Sequence, residues 1–442
     1  MVVVPAAVAV AAVVVNVVAD RMAQRSAAVD SVDDRVRSTT LDNGVRVISD
    51  PDPSSVSTSL SVWVAAGSRD DPSHAVGAAH FLEHMMFKGT TARTSHDINV
   101  AIEATGGELN AFTSREHTAY LTRVPADDTE LAARLLVELV AQPRFHPEDL
   151  EVERDVILEE LAMVGDTPDD LAATLLAEAV FAGHPLGWET LGRTDTLEAM
   201  DMESLRLIHS ANYGGTSVIV AAAGAVDHDL LCRVSSGLGD GGAELSRTVP
   251  TDALDMVTVE HRDNEQVQLN LGWRGVPSRH PDRFAVAILL QILGDGPSSR
   301  LYRKIRDERG LAYSVFSSQA RFSDSGMVSI SLGTGPDDLG ACREIIATEI
   351  ADLKANGPTD EELAVAIGSM SGAVVLSLED SGQRMARLGM SALLDGLRPP
   401  SDSLRGYAAV GSDDVRRVAL DVFGSPCATV AVGPISIQDV TG

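Results

Sequence analysis

The two halves of this 442-residue chain repeat one pattern. Strand-like alternation appears in two stretches that lie 209 residues apart, at Thr58, Leu60, Val62 and Val64 and again at Val267, Leu269, Leu271 and Trp273. The same offset relates Gly224, which ends the run VIVAAAG, to Gly433, which ends the run TVAVG. Two matches this far apart that share one offset favour a duplicated unit. We therefore expect two similar domains of roughly 200 residues each.

A glycine-rich stretch separates the two halves. Residues 235–251 contain four glycines and one proline, a composition typical of a loop. We predict a linker over 235–255 between a first domain at 36–234 and a second domain at 256–442. Residues 1–35 form an N-terminal extension that need not be ordered.

Short strand-like runs alternate with longer helical patterns from Ser38 onward. Strands are predicted at 40–48, around the turn signal Asn43-Gly44, and at 56–64, 109–124 and 218–224. The period-two alternation over 56–64 is typical of a half-buried antiparallel strand. Helical patterns fill most of 128–199. The sequence thus predicts an α+β fold in which each domain is a mostly antiparallel β-sheet packed with α-helices.

Charge and composition exclude several classes of protein. The chain has 35 basic and 64 acidic residues, for a net charge of −29, and only 4% of its residues are aromatic. It therefore lacks the basic surface that binds nucleic acid, and it would be repelled by an anionic membrane. With 44% apolar residues the chain is also neither disordered nor fibrous.

The three cysteines and the N-terminus bear on localisation. Cys232, Cys342 and Cys427 form no CxxC pair, which favours a reducing compartment. Residues 1–18 are uncharged, and the first basic residue, Arg21, follows this run rather than preceding it as in a secretory signal. We expect a cytoplasmic protein without stable membrane association. Export or anchoring is the alternative if residues 1–18 act as a signal.

One motif in the first half carries clear chemistry. His80, Glu83 and His84 form the pattern HxxEH within Gly77–Thr90. On a helix the two histidines lie one turn apart on one face, so their imidazoles can bind one cation. Glu83 lies beside them and can take a proton from a water molecule whose pKa the metal lowers. Two solvent-exposed histidines on an amphipathic helix are the alternative, but apolar neighbours on both sides of the motif favour a buried helix, where unpaired imidazoles would be costly.

A catalytic zinc needs a third protein ligand. The best source is the helix that Pro147 opens, followed by acidic residues in its first turn. Glu153 and Glu160 are seven residues apart and share a face, whereas Glu159 points elsewhere. A solvated acidic stripe would give the same spacing. The residues alone leave the choice among these three carboxylates open.

Five stretches together resemble the pitrilysin/insulinase family. They are HFLEHMMFKGT, GGELNAFTSREHTAY, ERDVILEEL, HPLGWETLG and SSRLYRKIRDERGLAYSV. They occur in the family's order, and the resemblance runs from about Thr39 to Pro434. More narrowly, the chain is similar to the half-length bacterial members that resemble the catalytic subunit of mitochondrial processing peptidase. This implies the duplicated, two-domain fold of such peptidases.

The resemblance also implies roles for residues of the first half. His80, His84 and Glu160 would bind one zinc ion, because the family's third ligand is the glutamate directly before the leucine of that helix. Glu83 would be the general base, and Glu153 would orient a zinc-binding imidazole. Asn110 and Ala111 match the edge strand on which the family binds its substrate as an added β-strand. Without the resemblance, this segment would be an ordinary core strand.

The second half supplies two further residues by the same resemblance. Arg306 and Tyr313 match the family's Arg and Tyr, which contact the substrate carbonyl and stabilise the oxyanion. From the residues alone they would be a solvated helix charge and a core aromatic. In half-length members this pair reaches the zinc site of the partner subunit. A homodimer is therefore expected.

The second half does not repeat the metal motif. At the offset of 209, the positions equivalent to His80, Glu83, His84 and Glu160 are Leu289, Ile292, Leu293 and Ser369. One zinc per chain is expected. The loop at Gly294–Pro297 is short, whereas the family's non-catalytic subunits often carry a long glycine-rich loop.

These observations predict a zinc endopeptidase that hydrolyses unfolded peptides or presequence-like segments in a closed chamber. The net charge suggests a preference for basic peptides. A different class of function stays open. It is a non-catalytic or partner-dependent structural, chaperone-like subunit of a heteromeric peptidase. The complete set of site residues favours the enzyme.

Overall fold

We describe the protein from a computed structural model of the whole chain. The structure describes residues 34–242, 245–251, 255–394 and 396–441, together with Arg25, Val29 and Val32. The expectations for residues 1–18, and for most of the extension over 1–35, lie outside these residues.

The first half forms a six-stranded sheet. Its strands are β1 (Arg37–Thr40), β2 (Arg46–Pro51), β3 (Ser57–Val64), β4 (Glu108–Thr113), β5 (Thr118–Pro125) and β6 (Val218–Gly224). Their order is β1-β2-β6-β3-β5-β4, and only β2 and β6 pair in parallel. The predicted strand pair around Asn43-Gly44 is present as β1 and β2, with Thr40 opposite Arg46. The predicted run 109–124 is a hairpin of two strands, β4 and β5.

The second half forms a five-stranded sheet with the same connectivity. Its strands are β7 (Met256–His261), β8 (Val267–Gly275), β9 (Ala312–Arg321), β10 (Gly326–Thr334) and β11 (Ala428–Gly433). Their order β7-β11-β8-β10-β9 repeats β2-β6-β3-β5-β4, including the single parallel pair. The prediction of two similar α+β domains, each with a mostly antiparallel sheet, is confirmed.

Helices surround both sheets. Those of the first half are α1 (Ala78–Met86), α2 (Ser95–Glu103), α3 (Thr129–Ala141), α4 (Pro147–Asp166), α5 (Pro168–Val180), α6 (Thr194–Ala199), α7 (Met202–Asn212) and α8 (His228–Ser235). Those of the second half are α9 (Arg283–Leu293), α10 (Leu339–Asn356), α11 (Asp360–Ser377), α12 (Ser381–Leu394), α13 (Pro400–Ala408), α14 (Ser412–Phe423) and α15 (Ile437–Thr441). A π-helical turn lies at Tyr302–Asp307, and short 3₁₀ turns lie at Ser68–Asp70, Ala126–Asp128, Pro185–Gly187, Gly215–Ser217 and Pro336–Asp338.

One helix of each domain packs on the sheet of the other domain. Helix α12 of the second half packs on β3 and β6 of the first sheet, and helix α5 of the first half packs on β8 and β11 of the second sheet. Met385 and Leu388 of α12 lie in one apolar cluster with Trp63, and Leu176 of α5 lies in another with Val430. Both clusters therefore contain residues from the two halves.

This exchange changes the expected burial of β3. The alternation over 56–64 predicts one buried face, but β3 is buried on both faces from Thr58 onward. Its valine face points into the first domain's core, while its serine and tryptophan face lies under α12. Ser59 hydrogen-bonds to Ser381 at 2.9 Å across this contact. The sequence pattern of one strand could not reveal a cover that comes from more than 300 residues away.

A buried cluster of charges joins the two halves beside this contact. Arg69 binds Asp324 of the second half through two hydrogen bonds of 3.0 Å and binds Glu116 at 2.5 Å. Glu116 also accepts hydrogen bonds of 2.7 Å from the backbone and side chain of Ser323. Arg247, between the two sheets in sequence, binds Asp70 at 2.7 and 2.8 Å. Paired, hydrogen-bonded charges of this kind tolerate burial, so they can lie in the contact between the two halves.

Among the described helices, none is long and apolar enough by itself to span a membrane. One pair, α11 with α12, meets the length and composition test only when taken together, and it is bent by 107°.

The helix exchange predicts that a single methyl group on α12 destabilises the protein. Gly389 faces Trp63, and a Cβ atom at this position would lie 2.1 Å from the indole Nε1. The indole is buried and hydrogen-bonded to Ser61, so it cannot move freely. We expect Gly389→Ala to lower the free energy of unfolding by about 1–3 kcal/mol, as overpacking does. Urea denaturation followed by circular dichroism measures this change.

The matched control is Gly340→Ala on α10, where an added Cβ meets no atom within 4 Å. Alanine favours a helix over glycine, so this variant should be as stable as the wild type or more stable by up to about 1 kcal/mol. Equal stability of the two variants would contradict the tight contact between α12 and the first sheet.

Candidate metal centre

Helix α1 positions three of the predicted site residues. The helix starts after Gly77, whose φ of 97° lies in the left-handed region that favours glycine. A Cβ atom at Gly77 would lie 2.7 Å from the backbone of Gly192, so the close approach also requires glycine. The buried carboxyl group of Asp71 accepts hydrogen bonds from the backbone N–H groups of Gly77 and Ala79, at 2.8 and 3.0 Å. These contacts fix the first turn of the helix that carries His80 and His84.

Helix α4 supplies the facing carboxylates. It begins at Pro147, as predicted, and its packing against α1 places Glu153 and Glu160 toward the two histidines. Glu153 is buried, Glu160 is partly exposed and Glu159 is exposed. The seven-residue spacing therefore identifies the inward face, and Glu159 is the residue that points away.

The side chains of His80, His84 and Glu160 converge. Carboxylate Oε2 of Glu160 lies 3.8 Å from Nε2 of His80 and 3.5 Å from Nε2 of His84. One ligand atom of each residue lies within 4.8 Å of the others. Ligands that share a zinc ion at about 2.0–2.2 Å lie within about 4.4 Å of one another. The two distances to the Glu160 oxygen meet this limit, and two nitrogens with one oxygen are a donor set of a zinc site that leaves a fourth position free.

Glu153 holds the ring of His84. Its carboxylate contacts Nδ1 of His84 at 2.8 Å and also forms an ion pair with Lys88. This leaves Nε2 of His84 directed to Glu160. An imidazole oriented by a carboxylate is the usual arrangement around zinc. The ring of His80 has no such support, since its Nδ1 is buried without a hydrogen-bond partner among the described residues.

The two histidines differ in protonation. Burial, and then the neighbouring His84, lower the pKa of His80 to about 4. Burial alone would also lower the pKa of His84, but the hydrogen bond to Glu153 and the charges of Glu160, Glu153 and Glu83 outweigh it and raise that pKa. His80 is thus neutral at pH 7 and able to bind a metal, whereas His84 keeps its proton to a higher pH than an ordinary histidine.

Glu83 is partly buried next to this group. Burial raises its pKa, and the hydrogen bond from Thr113 and the nearby His84 partly offset that rise. The hydroxyl of Thr113 donates to Oε2 of Glu83 at 2.5 Å. A carboxylate with a raised pKa beside a metal site is suited to accept and return a proton.

Asn110 and Ala111 lie on β4, which is an edge strand of the first sheet. Its residues alternate between exposed and partly buried, and β5 pairs with only one of its sides. The other side can pair with an added strand. Thr113, at the end of the same strand, links this edge to Glu83.

Arg306 and Tyr313 lie in the second half, away from these residues. The guanidinium of Arg306 stacks over the rings of Tyr302 and Tyr313, at 4.8 and 4.6 Å from their centroids. Tyr313 is 78% exposed. Within the ranges that the structure describes, neither residue contacts His80, His84 or Glu160. A single chain thus does not bring the two groups of predicted site residues together.

Three further residues around the centre were not predicted from the sequence. Lys88 lies one helical turn after His84, a spacing that signals a shared face. Thr113 stands within the quoted run GGELNAFTSREHTAY. The role of Asp71 could not be recognised from the sequence, because a capping residue normally lies directly before its helix, whereas this helix begins seven residues after Asp71.

The second domain buries apolar side chains at the equivalent positions. Leu289, Ile292 and Leu293 on α9 are all buried in its core. The same helix thus carries residues that could bind a metal ion in one copy and only packing residues at those positions in the other.

Comparison with known proteins gives two family matches. Residues 46–194 match the family model described as "Insulinase (Peptidase family M16)", and residues 199–370 match "Peptidase M16 inactive domain". An uncharacterized zinc protease of Streptomyces coelicolor is 38% identical over 414 residues, covering 90% of each chain. An uncharacterized zinc protease of Bacillus subtilis is 33% identical over 399 residues, covering 89% of this chain and 97% of that protein.

Solved structures share the fold. The peptidase M16 inactive domain from Pseudomonas fluorescens superimposes with a TM-score of 0.85 at 22% identity, covering 91% of this chain and 98% of that one. A protease from Helicobacter pylori superimposes with a TM-score of 0.84 at 23% identity, covering 90% and 99%.

The protonation of His84 predicts how metal uptake depends on pH. His84 must lose its proton to bind zinc, and its raised pKa delays that loss to higher pH. We expect the zinc affinity of the metal-free protein to fall as the pH drops through this pKa, starting above the ordinary value of about 6.5. Competition with a chromophoric chelator between about pH 6 and pH 8 measures this.

Glu153→Gln is the control, because it removes the carboxylate charge that raises the pKa of His84. The fall in zinc affinity should then begin at a lower pH, although the overall affinity also drops by about 10- to 100-fold. The same pH dependence in both proteins would show that Glu153 does not set the protonation of His84.

Proposed function

Because this chain belongs to the insulinase family of peptidases, we propose that it is a zinc-dependent endopeptidase that hydrolyses unfolded peptides or presequence-like segments. The observation that carries the proposal is the convergence of His80, His84 and Glu160 with Glu83 beside them. The names of the relatives from Streptomyces coelicolor and Bacillus subtilis, both zinc proteases, support the same class of reaction.

Each residue of the centre has a separate role in the proposed hydrolysis. His80, His84 and Glu160 would hold one zinc ion, which supplies Lewis acidity toward a water molecule and the scissile carbonyl. Glu83 takes a proton from the attacking water and returns it to the leaving amine. Its raised pKa brings the carboxyl group closer to the pH at which both transfers are efficient. Glu153 keeps the ring of His84 in place.

The peptide binds as an added strand along β4. Main-chain hydrogen bonds at Asn110 and Ala111 hold an extended segment largely independently of its side chains. This mode favours an unfolded substrate, because the bound segment must be extended and its main-chain N–H and C=O groups must be unpaired, whereas most of these groups in a folded protein are already hydrogen-bonded. The net charge of −29 favours basic segments by electrostatic attraction.

A homodimer completes the site. Arg306 and Tyr313 act on the zinc site of the partner subunit, where they contact the substrate carbonyl and stabilise the oxyanion. The exposure of Tyr313 and its separation from the first half's zinc residues in one chain support this assignment. Two copies would enclose the sites in a chamber that admits extended or short chains. The three unpaired cysteines support a reducing, cytoplasmic location.

Glu83→Gln tests the role of the general base. Loss of the proton acceptor should lower kcat by about 10²–10⁴-fold and leave zinc content at one ion per chain. The assay follows cleavage of an unfolded basic peptide and of its acidic counterpart, with and without chelator. Cleavage that survives chelation, or full activity in this variant, would overturn the proposed function.

Two neighbouring glutamates provide matched controls. Glu160→Gln removes a zinc ligand, so both bound zinc and cleavage should be lost. Glu159→Gln changes an exposed residue on the same helix, so neither should change. A zinc content near two per chain in the wild type would contradict the single site.

Mixing two inactive variants tests the composite site. Glu83→Gln and Arg306→Ala are each expected to be inactive alone. If each site combines Glu83 of one subunit with Arg306 of the other, a mixed dimer has one intact site. Random exchange in an equal mixture should then restore about one quarter of wild-type activity. If the mixture stays inactive although mass spectrometry of the intact complex shows mixed dimers, both residues act within one chain.

A further inference from the structure

The carboxylate of Glu83 has a single protein anchor. Within the described part of the chain, the hydroxyl of Thr113 is the only group that donates a hydrogen bond to it, at 2.5 Å to Oε2. The other oxygen, Oε1, accepts none from the described residues and is not among the buried unpaired polar atoms. One oxygen is therefore held and the other stays accessible to water.

A carboxylate in this position needs such an anchor. Glu83 lies on the same helix as the metal-binding histidines but must not bind the metal itself. A glutamate side chain has several rotamers, and the free energy of a nearby cation would favour those that bring its oxygens onto the ion. A charge-assisted hydrogen bond to one oxygen selects the rotamer in which the other oxygen faces the reacting water.

Rigid backbone holds the donor in place. Thr113 is the last residue of β4 and lies opposite Thr118 of β5. The turn that follows is closed by the hydrogen bond from the backbone N–H of Ser114 to the carbonyl of His117, at 2.8 Å. Glu116 in this turn belongs to the buried charge cluster that joins the two halves. The Thr113 hydroxyl is thus supported by the sheet and by the contact between domains.

The same strand connects the donor to the substrate edge. A peptide added along Asn110 and Ala111 would pair with β4 only two residues before Thr113. The edge proposed to bind the peptide and the hydroxyl that holds Glu83 therefore lie on one strand. Substrate binding and the alignment of the base share one structural element.

We propose that Thr113 is a positioning residue, whose hydroxyl holds one oxygen of Glu83 so that the other is free to take the proton. This inference rests on the proposed function, in which Glu83 is the base. In this role Thr113 acts through Glu83, to which its hydroxyl donates.

Thr113→Val tests the inference, because valine keeps the shape of the side chain and removes the donor. We expect kcat to fall by about 10- to 100-fold, the effect of losing a hydrogen bond to a charged group. KM should stay within about twofold and bound zinc should stay at one per chain, since neither the strand edge nor the ligands change. Thr113→Ser restores the hydroxyl and should recover most of kcat.

Thr118→Val is the matched control. It changes the threonine directly opposite on β5, whose hydroxyl donates to the carbonyl of Ala66 at 3.1 Å. Loss of this bond should lower the thermal stability and leave kcat per folded molecule unchanged. A fall in kcat of equal size in both variants would assign Thr113 a general structural role and overturn the inference.

A second readout does not depend on activity. In metal-free protein, a double-mutant cycle of Thr113→Val and Glu83→Leu, measured by urea unfolding, reports the coupling between the two side chains. A coupling free energy above the experimental error is expected. Zero coupling together with unchanged kcat in Thr113→Val would overturn the inference.

The outcomes also separate this inference from the proposed function. If the wild type cleaves no peptide or cleaves it after chelation, the proposed function fails, and the double-mutant cycle still tests the bond. If the wild type is a zinc-dependent peptidase and Thr113→Val keeps full kcat, only the positioning role fails.

Discussion

The reciprocal exchange of α5 and α12 is the contact on which the rest of this structure depends. Each sheet has one face on helices of its own domain, and an uncovered second face would expose a large apolar surface. Helix α12 covers Trp63 on the first sheet, and α5 covers Val430 on the second. The main core of each domain consists of its own residues, but the apolar cluster on the second face of each sheet contains residues of the other half. The two copies are therefore joined by shared apolar clusters, although each repeats the full set of strands needed for a sheet.

Contacts between the two halves also support the elements of the candidate metal centre. The charge cluster around Arg69 and Glu116 ties the β4–β5 turn to the second half. Beside it, Asp71 caps the helix that carries the two histidines. Functional groups on helices and strands whose neighbours are locked hold their geometry better than groups on loops. The proposed metal ligands, the proposed base and the strand edge proposed for the peptide all lie on such helices and strands.

The duplication separates fold from chemistry. Both copies bury the same helix against the same sheet, but His80 and His84 in one copy are replaced by Leu289 and Leu293 in the other. A leucine can be buried at this position without cost. A histidine at the same position is affected by burial, which lowers the pKa of His80 to about 4. A buried neutral imidazole is a good metal ligand and a poor core residue. The three side chains that could hold a metal ion therefore converge in the copy where Glu160 faces the two rings.

Much of the fold could be predicted because its signals are local. The Asn43-Gly44 turn, the buried run 218–224 and the helix that begins at Pro147 all lie where the residues indicate. The burial of β3 on both faces could not be predicted, because its cover, α12, lies more than 300 residues away in the chain. The exchange of helices between the domains could not be predicted either, because it too depends on contacts between residues far apart in the chain.

The sequence by itself determined the duplicated architecture, the HxxEH helix and the face of α4 that carries Glu153 and Glu160, because helical and strand periods are local properties of the chain. It did not choose among the three carboxylates without a family resemblance. The tertiary structure decided that Glu160 lies at both Nε2 atoms while Glu153 binds Nδ1 of His84. It also brought Thr113 to Glu83. These contacts depend on the distance and orientation between two separate elements. The periodicity of residues within one helix or strand contains no information about that distance.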